Sequence, residues 1–393
     1  LIDYSKVDII ALSDNNGELH GKEVNGIEII KPDKISYLKY DYVIITSKYY
    51  EDIEMQLLGY GLKKTCILNF YELYVRISPS DFRWSQLMKN AVFLIECENT
   101  KKEDFHSLLE KNLFLNSKSL SNCNRNKKLN SLAEVEFQVF SQFGEDGIIQ
   151  WLIHNVNISN KTFIEFGVED YTEANTRFLL MNDNWSGFVI DGSEKNIQHL
   201  KNWNDIWKYD LLVTSAFITK DNINQLIKRA GFNGDIGILS IDLDGNDYWI
   251  LNTIDCIQPR ILICEYNNIY GNSEVVSVPY NESFVRTKEH YSNLYWGASL
   301  GAYCDWADKN GYYYMGSNSA GNNAFFVRKD CISIDKVPIN AKTFIPSKYR
   351  ESRGRDGRLT YLRGDERLHC IKEMKLMNLK TGSIDTIANI YHI

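Results

Sequence analysis

Five short apolar runs, each closed by a polar or acidic group, constrain this chain more than any other feature. They are Thr162–Phe166, Gly187–Ile190, Asp210–Val213, Ile236–Ile241 and Arg260–Cys264. Helical segments separate most of them. Strands alternating with helices call for a parallel sheet with right-handed crossovers. Gly311–Met315 and Asn323–Arg328 follow as a hairpin pair. The expected fold class is α/β, five parallel strands plus an antiparallel hairpin.

In an open sheet of this kind a ligand lies beyond the carboxyl ends of the strands. The residues just after each run are therefore the informative ones. The first run ends Glu165-Phe-Gly-Val-Glu-Asp170, the second Asp191-Gly-Ser193, the fourth Asp242-Leu-Asp-Gly-Asn-Asp247 and the fifth Glu265-Tyr-Asn-Asn268. Gly167 would let backbone approach a ligand with no side chain in the way. Asp191, 24 residues beyond Gly167 (191 minus 167), is placed to accept hydrogen bonds from two ribose hydroxyls. The plainer reading of Asp191 is an Asp-Gly turn.

Charge and cysteine usage exclude several classes. A formal net charge of -7 argues against general nucleic-acid binding. No apolar run approaches the ~18 to 20 residues that span a bilayer. The eight cysteines are scattered without a CxxC pair, and the histidines form no HExxH. A reducing cytoplasm fits this usage, and a zinc site does not.

Residues 1–75 carry a second set of strand and helix signals: Val7–Ser13, Tyr42–Thr46 and Thr65–Leu68 as strands, Asp52–Leu58 as helix. With Gly21-Lys-Glu-Val-Asn-Gly-Ile27, this order resembles the small Rossmann-like domain of sugar-nucleotide and capsule-biosynthesis proteins. Its first strand and Gly-rich phosphate turn are missing here, so a truncated start is expected. Asp14 then has two readings, a ribose-binding acid or a turn former. Residues 76–135 read as helix and linker, with helical patterns over Trp84–Leu94 and Lys102–Leu113 and an exposed connector over Asn116–Asn130. A third section spans 136–340, and 341–393 is an Arg-rich extension.

The motifs SQFGED from Ser141, TFIEFGVEDYTEANT from Thr162, WSGFVIDGS, ILSIDLDGNDYW, PRILICEYN, YWGASLGAY and GNNAFFVR occur in that order. Together they resemble the FkbM-type S-adenosylmethionine-dependent methyltransferases, and more narrowly a branch found in surface-polysaccharide gene clusters. The resemblance covers about residues 137–330. It implies that Glu165, Gly167, Glu169, Asn175 and Thr176 surround the methionine part of S-adenosylmethionine. Asp191, with Ser193 beside it, would hold the ribose, and Ser215, Ala216 and Phe217 would border the adenine. One departure stands out: the first motif has one glycine where two or three are usual.

Two readings of the acidic strand ends stay open. Asp242, Asp244, Glu265 and Asn267 could converge on one Mg²⁺, as in catechol-type O-methyltransferases, where the ion lowers the pKa of the acceptor hydroxyl. Alternatively the acids cap the following helix, Asp247 above all. Candidates for the base that deprotonates a hydroxyl are Asp242, Asp244 and His290. Arg350 and Arg353, in a run of six arginines from Arg350 to Arg367, could grip a phosphate or carboxylate of the substrate, or form a solvated segment. Tyr291, Tyr295, Trp296 and Tyr312–Tyr314 offer a sugar-stacking wall or ordinary packing.

The sequence thus reads as an O-methyltransferase acting on a sugar, nucleotide sugar or glycan precursor, with no nucleic-acid partner and no membrane span. The oligomeric state stays open. Two rivals are a nucleotide-sugar-modifying enzyme using the N-terminal domain and a non-catalytic protein with a degenerate cofactor pocket. All of this requires Asp191 and the Glu165–Asn175 turn to face each other atop one sheet with room for an adenosyl group.

Overall fold

The computed structural model describes residues 8–24, 26–40, 42–45, 50–69, 92–96, 102–348 and 350–393. The chain divides into two compact units, 1–119 and 120–393.

The first unit holds β1 (Asp8–Ser13), β2 (Glu23–Val24), β3 (Ile27–Ile30), β4 (Tyr42–Ile45), α1 (Tyr50–Gly59), β5 (Ile67–Asn69) and β6 (Val92–Glu96). The strand order is β2-β3-β1-β6-β4-β5. The β1–β3 and β4–β5 pairs are parallel, but β6 runs antiparallel to both β1 and β4, so this sheet is mixed rather than wholly parallel. The expected helix over Trp84–Leu94 is corrected at its end, where Val92–Leu94 belong to β6; residues 84–91 lie outside those described. Asp14 forms a turn, its carboxylate accepting the Asn16 N–H at 2.7 Å.

A second correction concerns Asn116–Asn130. Helix α2 runs over Lys102–Asn124, absorbing most of the expected connector. Leu113, Ser117 and Ser121 are buried at four-residue spacing, and Ser121 donates to Gln150 at 2.8 Å. Serines on a buried stripe leave no apolar period to read.

The second unit is built on α3 (Glu145–Asn155), β7 (Thr162–Phe166), α4 (Arg177–Asp183), β8 (Ser186–Asp191), α5 (Glu194–Lys201), β9 (Leu211–Ser215), α6 (Ile223–Arg229), β10 (Gly234–Ile241), α7 (Asp247–Thr253) and β11 (Ile257–Glu265). The sheet order is β13-β14-β11-β10-β7-β8-β9, with β13 (Tyr312–Ser317) and β14 (Asn323–Arg328) as the hairpin. Strands β7 to β11 are mutually parallel, and β14 is antiparallel to both β11 and β13. This is a Rossmann-like, mostly parallel sheet closed by an antiparallel hairpin. Its strands read as unbroken apolar runs because both faces are covered. Ile164, Phe166, Leu262 and Cys264 pack into one core, while Phe163, Ile261 and Ile263 pack into another.

A smaller sheet, β12 (Val276–Ser277), β15 (Lys375–Asn378) and β16 (Ile384–Thr386), joins the C-terminal tail to the connection after β11. Helices α8 (Arg286–Glu289), α9 (Leu300–Asn310), α10 (Asp365–Cys370) and α11 (Ile387–Tyr391) complete the unit. Tyr270, Val276, Trp296, Leu368 and Leu376 share a third core. No helix among the described residues is long and apolar enough to cross a membrane.

Candidate functional site

The order in which strands are added to the sheet reverses between the parallel neighbours β7 and β10, and the loops above their ends leave a cleft there. Gly167 closes the first strand with φ +72°, and a Cβ on it would lie 1.7 Å from the Asp242 carbonyl oxygen. Its smallness therefore serves the approach of two strand ends, not only of a ligand. A cavity of about 520 Å³ opens beside this contact, a size that holds a cofactor.

Asp191 and the first turn meet at the edge of that cavity, and both line it. One Asp191 carboxylate oxygen accepts the Glu169 N–H at 2.9 Å and the other the Ser193 N–H at 2.7 Å. Each oxygen keeps a further lone pair. Glu169 and Tyr171 adopt φ +48° and +65°, so the turn holds left-handed backbone without the usual glycines. That conformation costs non-glycine residues ~1 to 3 kcal/mol each. Glu165 fixes the far end of the turn, its carboxylate accepting the N–H groups of Asn175 at 2.9 Å and Thr176 at 3.0 Å. Burial pushes the Glu165 carboxyl up to about 7, against these hydrogen bonds.

Phe217 presents a half-exposed ring to the cavity (52% exposed), beside Gly192, where a Cβ would sit 3.6 Å from it. A planar base fits against such a face. The donor set thus suits an adenosyl group: ribose acid, exposed aromatic and open backbone between them. Eight carboxylates and two guanidiniums line the cavity among the described residues. That balance favours a cationic ligand.

Of the residues singled out from the sequence, Glu165, Gly167, Glu169, Asn175, Asp191, Ala216, Phe217, Asp242, Asp244, Glu265 and Asn267 line this one cavity. Thr176, Ser193, Ser215, His290, Arg350 and Arg353 are not among its lining residues. Thr176 is fully buried, and the Ser193 hydroxyl caps α5 through the Asn196 N–H. His290 is hydrogen-bonded to the Ser292 hydroxyl at 2.7 Å, and burial holds its imidazole below the usual range. Arg353 pairs with Glu351 at 3.2 Å, and Arg350 stacks over Tyr361. Of the aromatic set only Trp296 reaches the cavity.

The acidic strand ends divide into two kinds. Asp247, the first residue of α7, accepts the N–H groups of Leu243 at 2.6 Å and Gly245 at 2.9 Å, so it ties down the loop before the helix rather than capping the helix. Asp242, Asp244 and Glu265 instead converge, with ligand oxygens within 4.8 Å of one another. Octahedral Mg²⁺ holds opposed oxygens ~4.2 Å apart, so these groups could hold one ion only on drawing slightly closer than their 4.8 Å spread. Glu265 Oε2 is buried with no hydrogen-bond partner among the described residues. Burial first, then the neighbouring negative charges, push Asp242 and Glu265 well above the usual carboxylate range. Asn267 is committed elsewhere: its amide donates to the Leu294 and Trp296 carbonyls, and its oxygen accepts the Ile269 N–H.

Remote segments complete the cavity. Arg286 binds Asp244 at 2.7 Å and Glu351 at 3.3 Å, over the Trp296 ring. Asn268 staples the tail down, donating to the Gly321 and Ile345 carbonyls and accepting the Ser347 N–H. Asn268→Ala is expected to cost ~1 to 3 kcal/mol, read as a lowered Tm together with faster proteolysis near residues 341–348. Arg367 belongs to the arginine run picked out from the sequence, whereas sequence reasoning missed Gln142, Arg286 and Glu351. Only Gln142 left a signal, in the SQFGED run.

Comparisons with known proteins cover the two units unequally. The family described as C2185-like, N-terminal, matches residues 1–68. No curated protein matches. Among solved structures, TrmK of M. capricolum bound to S-adenosylhomocysteine is 10% identical, with TM-score 0.27, over 45% of this chain and 65% of that one. This chain thus spans just under two thirds of that protein. A putative caffeoyl-CoA O-methyltransferase of Staphylococcus aureus is 16% identical over 55% of this chain and 99% of its own, with TM-score 0.31. The O-methyltransferase of Bacillus cereus, solved with S-adenosylhomocysteine, is 12% identical over 53% and 88%, with TM-score 0.32.

Proposed function

We propose that the 120–393 unit binds S-adenosylmethionine in this cavity and transfers its methyl group to a hydroxyl of a sugar or glycan precursor. The observation that carries this reading is the pairing of Asp191 with the Glu169 backbone at one end of a cavity whose other end holds the Asp242–Asp244–Glu265 cluster. Asp191 would hold the ribose, Phe217 the adenine, and the Glu165–Asn175 turn the methionine part.

Methyl transfer is an in-line displacement, so the protein's tasks are to align the acceptor and to take its proton. Asp242 and Glu265 suit the second task better than His290, because they line the cavity and burial with the neighbouring negative charges raises their proton affinity above that of an ordinary carboxylate. Asp242, Asp244 and Glu265 would also hold Mg²⁺, which when bound polarises a hydroxyl. The choice of a sugar acceptor rests on the resemblance in the motifs, since Trp296 lines the cavity but is buried with Arg286 over its ring. The narrower placement, in the FkbM-type family and in capsule biosynthesis within the cytoplasm, rests on the resemblance in the motifs.

Calorimetry with S-adenosylmethionine and S-adenosylhomocysteine tests the reading. Micromolar binding of both is expected. No binding to the intact protein would favour the second reading, a non-catalytic protein, which the glycine-poor turn alone supports.

A further inference from the structure

The first turn holds left-handed backbone at Glu169 (φ +48°) and at Tyr171 (φ +65°), positions that glycine would occupy without strain. Residues with side chains keep that conformation only where their surroundings over-determine it. Arg177, the first residue of α4, supplies such a constraint. Its Nη1 donates to the Tyr171 carbonyl and to the Thr172 carbonyl, each at 3.1 Å.

The guanidinium is itself held in place. It lies over two rings, 4.4 Å from the centroid of Phe140 and 5.0 Å from that of Trp203. Phe140 stands just before the SQFGED run, whose buried Asp146 accepts the N–H groups of Val139, Phe140 and Ser141 through one oxygen, at 2.7, 2.8 and 3.0 Å. The Phe140 carbonyl accepts the Ala174 N–H at 3.0 Å, on the far side of the turn. Trp203 follows α5, the helix entered from Asp191 through Ser193, and stacks on Tyr209 at 5.3 Å. A planar guanidinium resting on ring faces loses little freedom when its N–H groups bind carbonyls. Arg177, Phe140 and Trp203 are not among the residues lining the cavity.

We infer that Arg177 is a positioning residue for the cofactor. Its grip on the Tyr171 and Thr172 carbonyls stands in for the glycines that the first motif lacks, and it keeps the Glu169 N–H on Asp191. Adenosyl binding thus depends on a side chain outside the cavity, which acts through Glu169 and Asp191. The SQFGED run gains a purpose on the same grounds: it fixes one of the rings on which that side chain rests. The inference rests on the reading of the cavity as an S-adenosylmethionine site.

The test is calorimetry of S-adenosylhomocysteine binding to the full chain, well below the Tm of each variant. Hydrogen exchange at the amides of residues 169–176 is measured beside it. Arg177→Gln should weaken binding ~10-fold or more, the loss of one charge-assisted hydrogen bond. Exchange in the turn should speed up while β7 and β8 stay protected. Arg177→Lys keeps the charge without the planar fork and should recover part of the affinity. Trp203→Leu removes one ring from a half-buried position and should weaken binding ~2- to 5-fold, the loss of one cation–π contact. Affinity unchanged in Arg177→Gln, or in Trp203→Leu should the first variant not fold, would overturn the inference even if Tm fell. No binding by the wild type would strike the methyltransferase reading instead, and exchange in the turn would still show whether Arg177 holds it.

Discussion

Asp191→Ala is expected to weaken S-adenosylhomocysteine binding by ~10²-fold or more. Two hydrogen bonds from ribose hydroxyls to a carboxylate disappear together, and bonds to a charged group contribute ~1.5 to 3 kcal/mol each. A second loss adds to the first. The Asp191 oxygens also accept the Glu169 and Ser193 N–H groups, so the alanine variant frees the first turn from β8. Asp191→Asn should fare little better, because its amide NH₂ would meet one of those two N–H groups donor to donor. Calorimetry on variants whose thermal unfolding remains cooperative gives the measurement. Unchanged affinity in Asp191→Ala would remove the adenosyl site from this cavity.

How much of this was legible beforehand follows from the sheet itself. Strands β7, β8, β10 and β11 are buried on both faces along most of their length, so each reads as an apolar run with an abrupt polar terminus. Asp191, Asp242 and Glu265 could be read for that reason, and they line one cavity. Side-chain commitments were not readable. Asp247 and Asp244 differ by three positions, yet one ties down the loop before α7 and the other points at Glu265 and Arg286. The loop between them decides this, with Asp244 at φ +53°. The missing first-turn glycines looked like a loss, but Glu169 and Tyr171 take up the left-handed backbone themselves. Arg286, Glu351 and Arg367 come from segments with no strand or helix period to place them. The six arginines of the tail look alike in sequence, and only packing of Leu368 against Tyr270 selects Arg367 for the cavity.

Glu265→Gln should lower kcat by ~10² to 10⁴-fold, the range for losing a group that handles the acceptor's proton, and it should raise stability at the same time. The second effect comes from the same geometry. Asp242, Asp244 and Glu265 lie within 4.8 Å of one another, and Glu265 Oε2 is buried without a partner among the described residues. The folded pKa values of Asp242 and Glu265 stand above the unfolded ones through burial and the neighbouring negative charges. A group raised in this way contributes stability that is fully present below its unfolded pKa and is lost as pH climbs through the folded pKa. The metal-free wild type should therefore lose Tm as pH rises above the ordinary carboxylate range, and Glu265→Gln should lose less. Near neutral pH the variant should melt higher by ~2 to 4 °C, the shift that ~1 kcal/mol produces in a domain of this size. Added MgCl₂ should raise the wild-type Tm by binding the native cluster and leave Glu265→Gln nearly unmoved. Chelator treatment should bring wild-type turnover down toward that of the variant. Full turnover in the presence of chelator, with no Mg²⁺-dependent change in Tm, would leave Asp242 and Glu265 as a proton-sharing pair with no ion between them.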